Sequence, residues 1–135
     1  VGLGAAGTLF AKGDHGSTFG GNPVSAAAAL AVLETIESQD LLGHVKAVGT
    51  LLSEGIAAVE HPLLKGVRGQ GLWLAVVLTA ERAGRFQEAA QRAGFLVNAV
   101  QPDAVRLAPP LVITEEQVTA FVTALPALLD EASHD

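Results

Sequence analysis

A polar, glycine-dense stretch runs from Gly13 to Pro23 and leads directly into an apolar segment. Four glycines between positions 13 and 21 allow positive φ angles and a close approach of the backbone to a ligand. Ser17 and Thr18 add hydroxyl groups beside the expected start of a helix, where unpaired backbone N–H groups attract anions. The pattern predicts a site for an anion such as a phosphate. The alternative is a loop that these hydroxyl groups stabilise through a local Ser/Thr turn.

Arg106 is the second candidate, because a guanidinium holds a carboxylate through two parallel hydrogen bonds. Such a group suits an amino-acid or oxo-acid substrate. A lone arginine at the end of a strand more commonly forms a surface ion pair, so both interpretations stay open from the residue alone.

Four histidines and the single tryptophan complete the chemically interesting side chains. His15 could act as a general base, since imidazole titrates near neutral pH. No partner carboxylate is identifiable for it in the sequence. The other histidines lack the spacing of metal ligands, so we predict no metal site and interpret them as solvated or capping groups: His44, His61 and His134. Trp73 is expected in the core, because a domain this poor in aromatic residues should bury its only tryptophan.

The composition limits the classes of function. A chain of 135 residues with 50% apolar residues is long enough for one domain with a hydrophobic core. A net charge of -6, with only eight scattered Lys and Arg residues, argues against a nucleic-acid partner. The absence of cysteine excludes disulfides and fits a cytoplasmic protein. No apolar run approaches the roughly 20 residues that span a bilayer, so no membrane partner is expected.

Helical periodicity is present in four segments, which predict the helices that position these residues. They cover positions 22–38, 41–59, 81–93 and a final stretch from 114 onward. Asn22 is predicted to cap the first helix. Thr114 and Gln117 have the spacing of a capping box at the start of the last one.

Three strands are predicted between these helices. Positions 67–78 form a continuous apolar run, with Gly69 and Gly71 as a bend or bulge. Positions 95–100 and 104–107 are separated by a Pro-Asp turn, which favours antiparallel pairing. The order of elements predicts an α/β (α+β) domain over residues 1–135, with helices packed on a small, mainly antiparallel sheet.

Two segments carry a resemblance to a known family. The string from His15 to Pro23, HGSTFGGNP, resembles the signature of class III pyridoxal-phosphate aminotransferases in the acetylornithine/ornithine branch. Val105 to Leu111, VRLAPPL, resembles a segment near the C-terminus of the same enzymes. The resemblance covers nearly the whole chain but only about the C-terminal third of such an enzyme. Since the chain begins at Val1 and contains no methionine, we expect an excised or processed fragment.

The resemblance implies a structural assignment and three site residues. The chain would be the small C-terminal domain of a fold-type I pyridoxal-phosphate transferase with the interface loop and helix that precede it, and the large cofactor-binding domain would be absent. Thr18 would donate a hydrogen bond to the cofactor phosphate across a dimer interface, with support from Ser17. Arg106 would bind the α-carboxylate of the substrate, and His15 would be structural or form part of the interface.

The resemblance also implies an activity for the parent protein. A cytoplasmic homodimer would transfer the δ-amino group of N2-acetylornithine to 2-oxoglutarate in arginine biosynthesis, with pyridoxal 5'-phosphate as cofactor. None of the lysines matches the Schiff-base lysine of the family: Lys12 lies too close to His15, and Lys46 and Lys65 are expected in a helix and a loop. The chain therefore contains no predicted catalytic residue and should be inactive alone.

Two alternatives remain at this point. The parent could be a related ω-aminotransferase acting on ornithine, succinylornithine or 4-aminobutyrate. The chain could instead be a stand-alone binding or oligomerisation module derived from a transaminase, which would keep only the phosphate-binding loop.

Overall fold

The chain forms two compact units, Val1–Ile36 and Glu37–Asp135. The computed structural model describes residues 4–11, 13–14, 16 and 18–134. Within these ranges, no helix combines the length and apolar character that a membrane span requires.

The first unit contains a 3-10 helix at Gly4–Thr8, a turn at residues 18–21 and most of helix α1, Pro23–Ser38. The side-chain oxygen of Asn22 accepts hydrogen bonds from the backbone N–H groups of Val24 and Ser25, at 2.9 and 3.2 Å. These bonds satisfy donors that have no partner within the helix, which confirms the predicted cap.

The second unit is built on a four-stranded antiparallel sheet with the strand order β1-β2-β4-β3. The strands are β1 Leu64–Gln70, β2 Trp73–Leu78, β3 Asn98–Gln101 and β4 Ala104–Leu107. The predicted antiparallel sheet, including the pairing of the last two strands, is confirmed.

The segment 67–78 is two strands, and the prediction of one bent strand is wrong. Gln70 pairs with Trp73, and Gly71 and Leu72 form the two-residue turn between them. Gly71 has a φ of 56°, which suits the first central position of a tight hairpin turn. The apolar run continues through the turn because Leu72 is itself buried, so hydrophobicity alone did not mark the boundary.

Three helices cover one face of the sheet: α2 Leu41–Ala57, α3 Ala83–Arg92 and α4 Glu115–Ser133. Their apolar faces join the alternate residues of the inner strands in one core. Side chains at its centre include Ile56, Phe86, Val76, Val105 and Leu125, all of them fully buried. The opposite face, which we call the outer face, carries Arg68, Gln70, Trp73, Ala75, Asn98 and Arg106.

Helix α3 ends in the way that its sequence predicts. Gly94 has a φ of 88°, a conformation that favours glycine. The N–H groups of Gly94 and Phe95 donate to the carbonyls of Gln91 and Ala90, at 3.1 and 2.8 Å. This paired arrangement satisfies the last carbonyls of the helix and turns the chain toward β3.

Helix α4 begins with the predicted capping box. The hydroxyl oxygen of Thr114 accepts from the N–H of Gln117 at 3.3 Å, and the side chain of Gln117 accepts from the N–H of Thr114 at 3.0 Å. The helix then continues through Pro126 to Ser133.

Candidate functional site

Arg106 lies in β4, an inner strand of the sheet. The residues on either side of it, Val105 and Leu107, are buried in the core. Because side chains alternate along a strand, Arg106 projects to the outer face. Its cross-strand neighbours there are Ala75 of β2 and Asn98 of β3. The register between these strands brings the three residues together, and no local sequence signal predicts this register.

The guanidinium of Arg106 is not used in an ion pair with any residue that the structure describes. The surface-ion-pair alternative therefore receives no support from this part of the chain. Its aromatic neighbour is Trp73, whose ring centroid lies 5.3 Å from the central guanidinium carbon. A half-buried guanidinium without a carboxylate partner is a suitable receptor for a carboxylate from outside the chain.

Trp73 is not a core residue, and the prediction that it is buried is wrong. Its side chain is 64% exposed, whereas Leu74, Val76 and Leu78 of the same strand are buried. Trp73 has the opposite parity to these three residues and so lies on the outer face. The alternation was present in the sequence, but it became interpretable only once the hairpin turn fixed the start of β2.

Thr18 lies in an exposed turn of the first unit. A β-carbon placed on Gly16 or Gly21 would meet no other atom within 4 Å, so the backbone around Thr18 is open. Gly21 also has a φ of 77°, a conformation that favours glycine. Ser17 and His15, the other predicted residues of this loop, lie outside the described residues. Thr18 and Arg106 belong to different units.

The remaining histidines have hydrogen-bond partners within the second unit. His44 Nε2 lies 2.9 Å from the carbonyl oxygen of Ile113, and His134 Nδ1 lies 2.6 Å from that of Asp130. His61 Nδ1 accepts from the N–H of Leu63 at 3.0 Å. Each imidazole therefore bonds a backbone group. In the described ranges, no three His, Asp or Glu side chains cluster as metal ligands would.

The lysines are placed as follows. Lys46 lies in α2, as expected, and Lys65 lies in β1 rather than in a loop, because the strand already begins at Leu64. Lys12 lies outside the described residues. Lys46 and Lys65 are both exposed.

Comparison with known families decides the assignment. The family model for "Aminotransferase class-III" matches residues 4–129, which is nearly the whole chain. The chain belongs to the class-III aminotransferase family. This class-III aminotransferase chain is 55% identical over 133 residues to acetylornithine aminotransferase from Mycolicibacterium smegmatis. The alignment covers 98% of this chain and 34% of that protein. It is 51% identical over 133 residues to acetylornithine aminotransferase from Streptomyces coelicolor, covering 98% and 33%.

Solved structures of the family have the same fold. The acetylornithine aminotransferase from Elizabethkingia anophelis superimposes with a TM-score of 0.82 at 32% identity, over 93% of this chain and 33% of that one. An amine transaminase from an uncultivated Pseudomonas species gives a TM-score of 0.82 at 31% identity, over 98% and 32%. The class-III chain thus has the α/β fold of these transaminases, and it spans about a third of their length.

Proposed function

We propose that the chain is the C-terminal part of a pyridoxal-phosphate-dependent aminotransferase that transfers the δ-amino group of N2-acetylornithine to 2-oxoglutarate, a step of arginine biosynthesis. Residues 1–135 would form its small domain with the preceding interface loop and helix, and the large domain would lie in the other two thirds. The observation that carries the proposal is the guanidinium of Arg106, which lies on the outer face and forms no ion pair with the residues that the structure describes. The relatives at 51–55% identity support the choice of amino donor.

Arg106 is proposed to bind the α-carboxylate of each substrate. N2-acetylornithine and 2-oxoglutarate both present this group, so one arginine serves both halves of the reaction. Two parallel N–H···O bonds fix the plane of the carboxylate as well as its position. The inner position of β4, paired on both sides, gives that guanidinium a rigid base.

The residues present also fit one side of a cofactor phosphate site. The Thr18 hydroxyl is exposed, and the surrounding glycines leave the approach of an anion open. Thr18, supported by Ser17, is proposed to donate to the phosphate of pyridoxal 5'-phosphate. When bound, this cofactor supplies the electron sink that amino-group transfer requires. The lysine and the acid that complete such a site are proposed to belong to the large domain.

The parent protein is further proposed to be a cytoplasmic homodimer. Support comes from α1, in which Leu30 and Leu33 are 59% and 61% exposed. A helix that is apolar on most sides is normally buried in the complete protein. The remaining length of the relatives and a second copy would supply this cover, and the absence of cysteine fits a reducing compartment.

The role of Arg106 is tested in the full-length protein that contains this chain. Arg106→Ala should raise KM for both N2-acetylornithine and 2-oxoglutarate by about 10- to 100-fold, because hydrogen bonds to a charged group contribute about 1.5–3 kcal/mol. Arg106→Lys keeps the charge but loses the two parallel hydrogen bonds, so its KM values should lie between those of the wild type and those of Arg106→Ala. Unchanged KM values for both substrates would remove Arg106 from the site.

A substrate panel separates the proposed enzyme from its relatives. N2-acetylornithine should give the highest kcat/KM among N2-acetylornithine, ornithine, succinylornithine, 4-aminobutyrate and a simple primary amine. The amine is included because an amine transaminase shares the fold equally well. A preference for any other donor would replace the proposed substrate and leave the family unchanged, whereas no transamination of any donor would favour the stand-alone binding module.

A further inference from the structure

Trp73 and Arg106 form a contact that the proposed function leaves unexplained. The ring centroid lies 5.3 Å from the guanidinium carbon, within the range of about 6 Å at which an aromatic face attracts a cation. The two residues lie on adjacent inner strands, and Trp73 is two positions before Ala75, the cross-strand partner of Arg106. They are thus diagonal neighbours on the outer face, a separation that long side chains bridge.

The exposure of Trp73 shows that burial of the indole does not explain its position. The ring is 64% exposed, although the core under the same strand accepts large apolar side chains. Most of the surface of this residue therefore faces away from the core. The contact that the structure does give it is with the guanidinium of Arg106.

The backbone under Trp73 is held closely. A β-carbon on Gly69 would lie 2.1 Å from the carbonyl oxygen of Trp73, so the two strands approach here more closely than any other residue type would allow. Gln70 pairs with Trp73 immediately before the hairpin turn. The indole consequently projects from a short, tightly closed hairpin rather than from a mobile loop.

The geometry has a consequence for carboxylate binding. An arginine side chain loses rotamer entropy when it is ordered, and a ring packed against the guanidinium limits that freedom before the substrate arrives. A guanidinium that contacts a ring through its face keeps the N–H groups at its edge available, because these donate in the guanidinium plane. Stacking and carboxylate binding are therefore compatible at the same time.

We propose that Trp73 is a positioning residue that holds the Arg106 guanidinium for the substrate α-carboxylate by stacking against it. The proposal rests on the proposed function, because it assigns Trp73 a role only through Arg106. Trp73 does not need to touch the substrate, the cofactor or the reacting atoms.

The test is a double-mutant cycle in the full-length protein, with cofactor bound. Trp73→Leu should raise KM for N2-acetylornithine and for 2-oxoglutarate about two- to fivefold, the range expected for an exposed cation–π contact, with kcat within about twofold. Trp73→Phe keeps an aromatic face, so its KM values should stay closer to those of the wild type than to those of Trp73→Leu. In the Arg106→Ala background, Trp73→Leu should cause no further rise, since the stacked cation is gone. Arg68→Ala removes an equal charge from the same face and serves as the matched control.

Each other outcome has a defined meaning. If Trp73→Leu leaves KM unchanged while Arg106→Ala raises it, the positioning role is overturned and the proposed function stands. If Trp73→Leu acts equally with and without Arg106, the indole works independently of the guanidinium and the proposal is wrong. If Arg106→Ala has no effect, the proposed role of Arg106 fails first. Equal rises in Arg68→Ala and Arg106→Ala would indicate nonspecific attraction by positive charge and would also overturn it.

Discussion

Gly49 of α2 lies directly against the backbone of Gly71 in the β1–β2 turn. A β-carbon on Gly49 would be 2.5 Å from the Gly71 carbonyl oxygen and 2.8 Å from its α-carbon. Both neighbours are backbone atoms, so neither moves without shifting the turn. The close packing of helix and hairpin therefore depends on the absence of a side chain at position 49.

Gly49→Ala should lower the free energy of unfolding by about 1–3 kcal/mol, the range for an added methyl group in a filled space. Gly84→Ala is the matched control, because a β-carbon there meets no atom within 4 Å and the residue lies in α3. Alanine should stabilise α3 by up to about 1 kcal/mol. Urea unfolding measured by circular dichroism distinguishes the two, and equal stability of both variants would contradict the close contact.

Thr114→Ala should destabilise α4 by about 0.5–2 kcal/mol, because it removes the side-chain acceptor for the N–H of Gln117. Thr114→Ser keeps the hydroxyl and should stay close to wild type. Urea unfolding of the three proteins gives the comparison. If Thr114→Ser lowered the free energy of unfolding as much as Thr114→Ala does, the methyl group of Thr114, and not its hydroxyl, would stabilise the helix start.

The same cap predicts a pH effect at Glu116. Hydrogen bonds from its own backbone N–H and then from the Thr114 hydroxyl lower the pKa of Glu116 below the usual value. A carboxyl whose pKa is lowered by folding stabilises the fold above its unfolded pKa, and this contribution is lost as the pH falls through the folded pKa. Thr114→Ala should move the pKa of Glu116 upward, which an NMR titration of the Glu116 carboxyl carbon would detect. An unchanged titration curve would leave the backbone as the only cause.

The 135-residue chain alone should produce no glutamate from N2-acetylornithine, 2-oxoglutarate and pyridoxal phosphate. The reason is that a transaminase requires a Schiff-base lysine, and none of the lysines in this chain is assigned to that role. A glutamate dehydrogenase-coupled assay gives the measurement, with the full-length protein as positive control. Turnover above the rate of free cofactor would place a catalytic amine within the chain.

Thr18→Ala in the full-length protein should weaken cofactor binding by about one to two orders of magnitude, since one charge-assisted hydrogen bond is lost. Thr18→Ser retains the hydroxyl and is the control. Equilibrium dialysis against pyridoxal phosphate measures the Kd directly. If the wild type and Thr18→Ala bound pyridoxal phosphate with equal affinity, Thr18 would only stabilise its own turn.

How far the sequence determined the structure is clearest at individual residues. The caps at Asn22, Thr114 and Gly94 were predictable because each depends on bonds to residues within five positions. The hairpin is not predictable from the apolar pattern, because Gly71 fits a bulge within one strand as well as a turn between two. The exposure of Trp73 depends on the alternation of side chains along β2, whereas the scarcity of aromatic residues carries no information on which face a side chain takes.

The candidate site also contains features that were predictable from the sequence and one that was not. Residue type and motif pointed to Arg106 and Thr18, and the structure places the former half-buried on the outer face and the latter in an exposed turn. The stacking of Trp73 on Arg106 was not predictable, because it depends on the register between β2 and β4, which are separated by a helix and a further strand. Cross-strand register over such a distance is set by the packing of the whole core rather than by local signals.

The strand order β1-β2-β4-β3 places Trp73 and Arg106 on the two strands that have neighbours on both sides. Their amide hydrogens should therefore exchange with solvent only when the sheet opens as a whole, while β1 and β3 exchange through local fraying. A protein engineer could accordingly vary the border strands β1 and β3 and leave the contact between Trp73 and Arg106 in its original geometry.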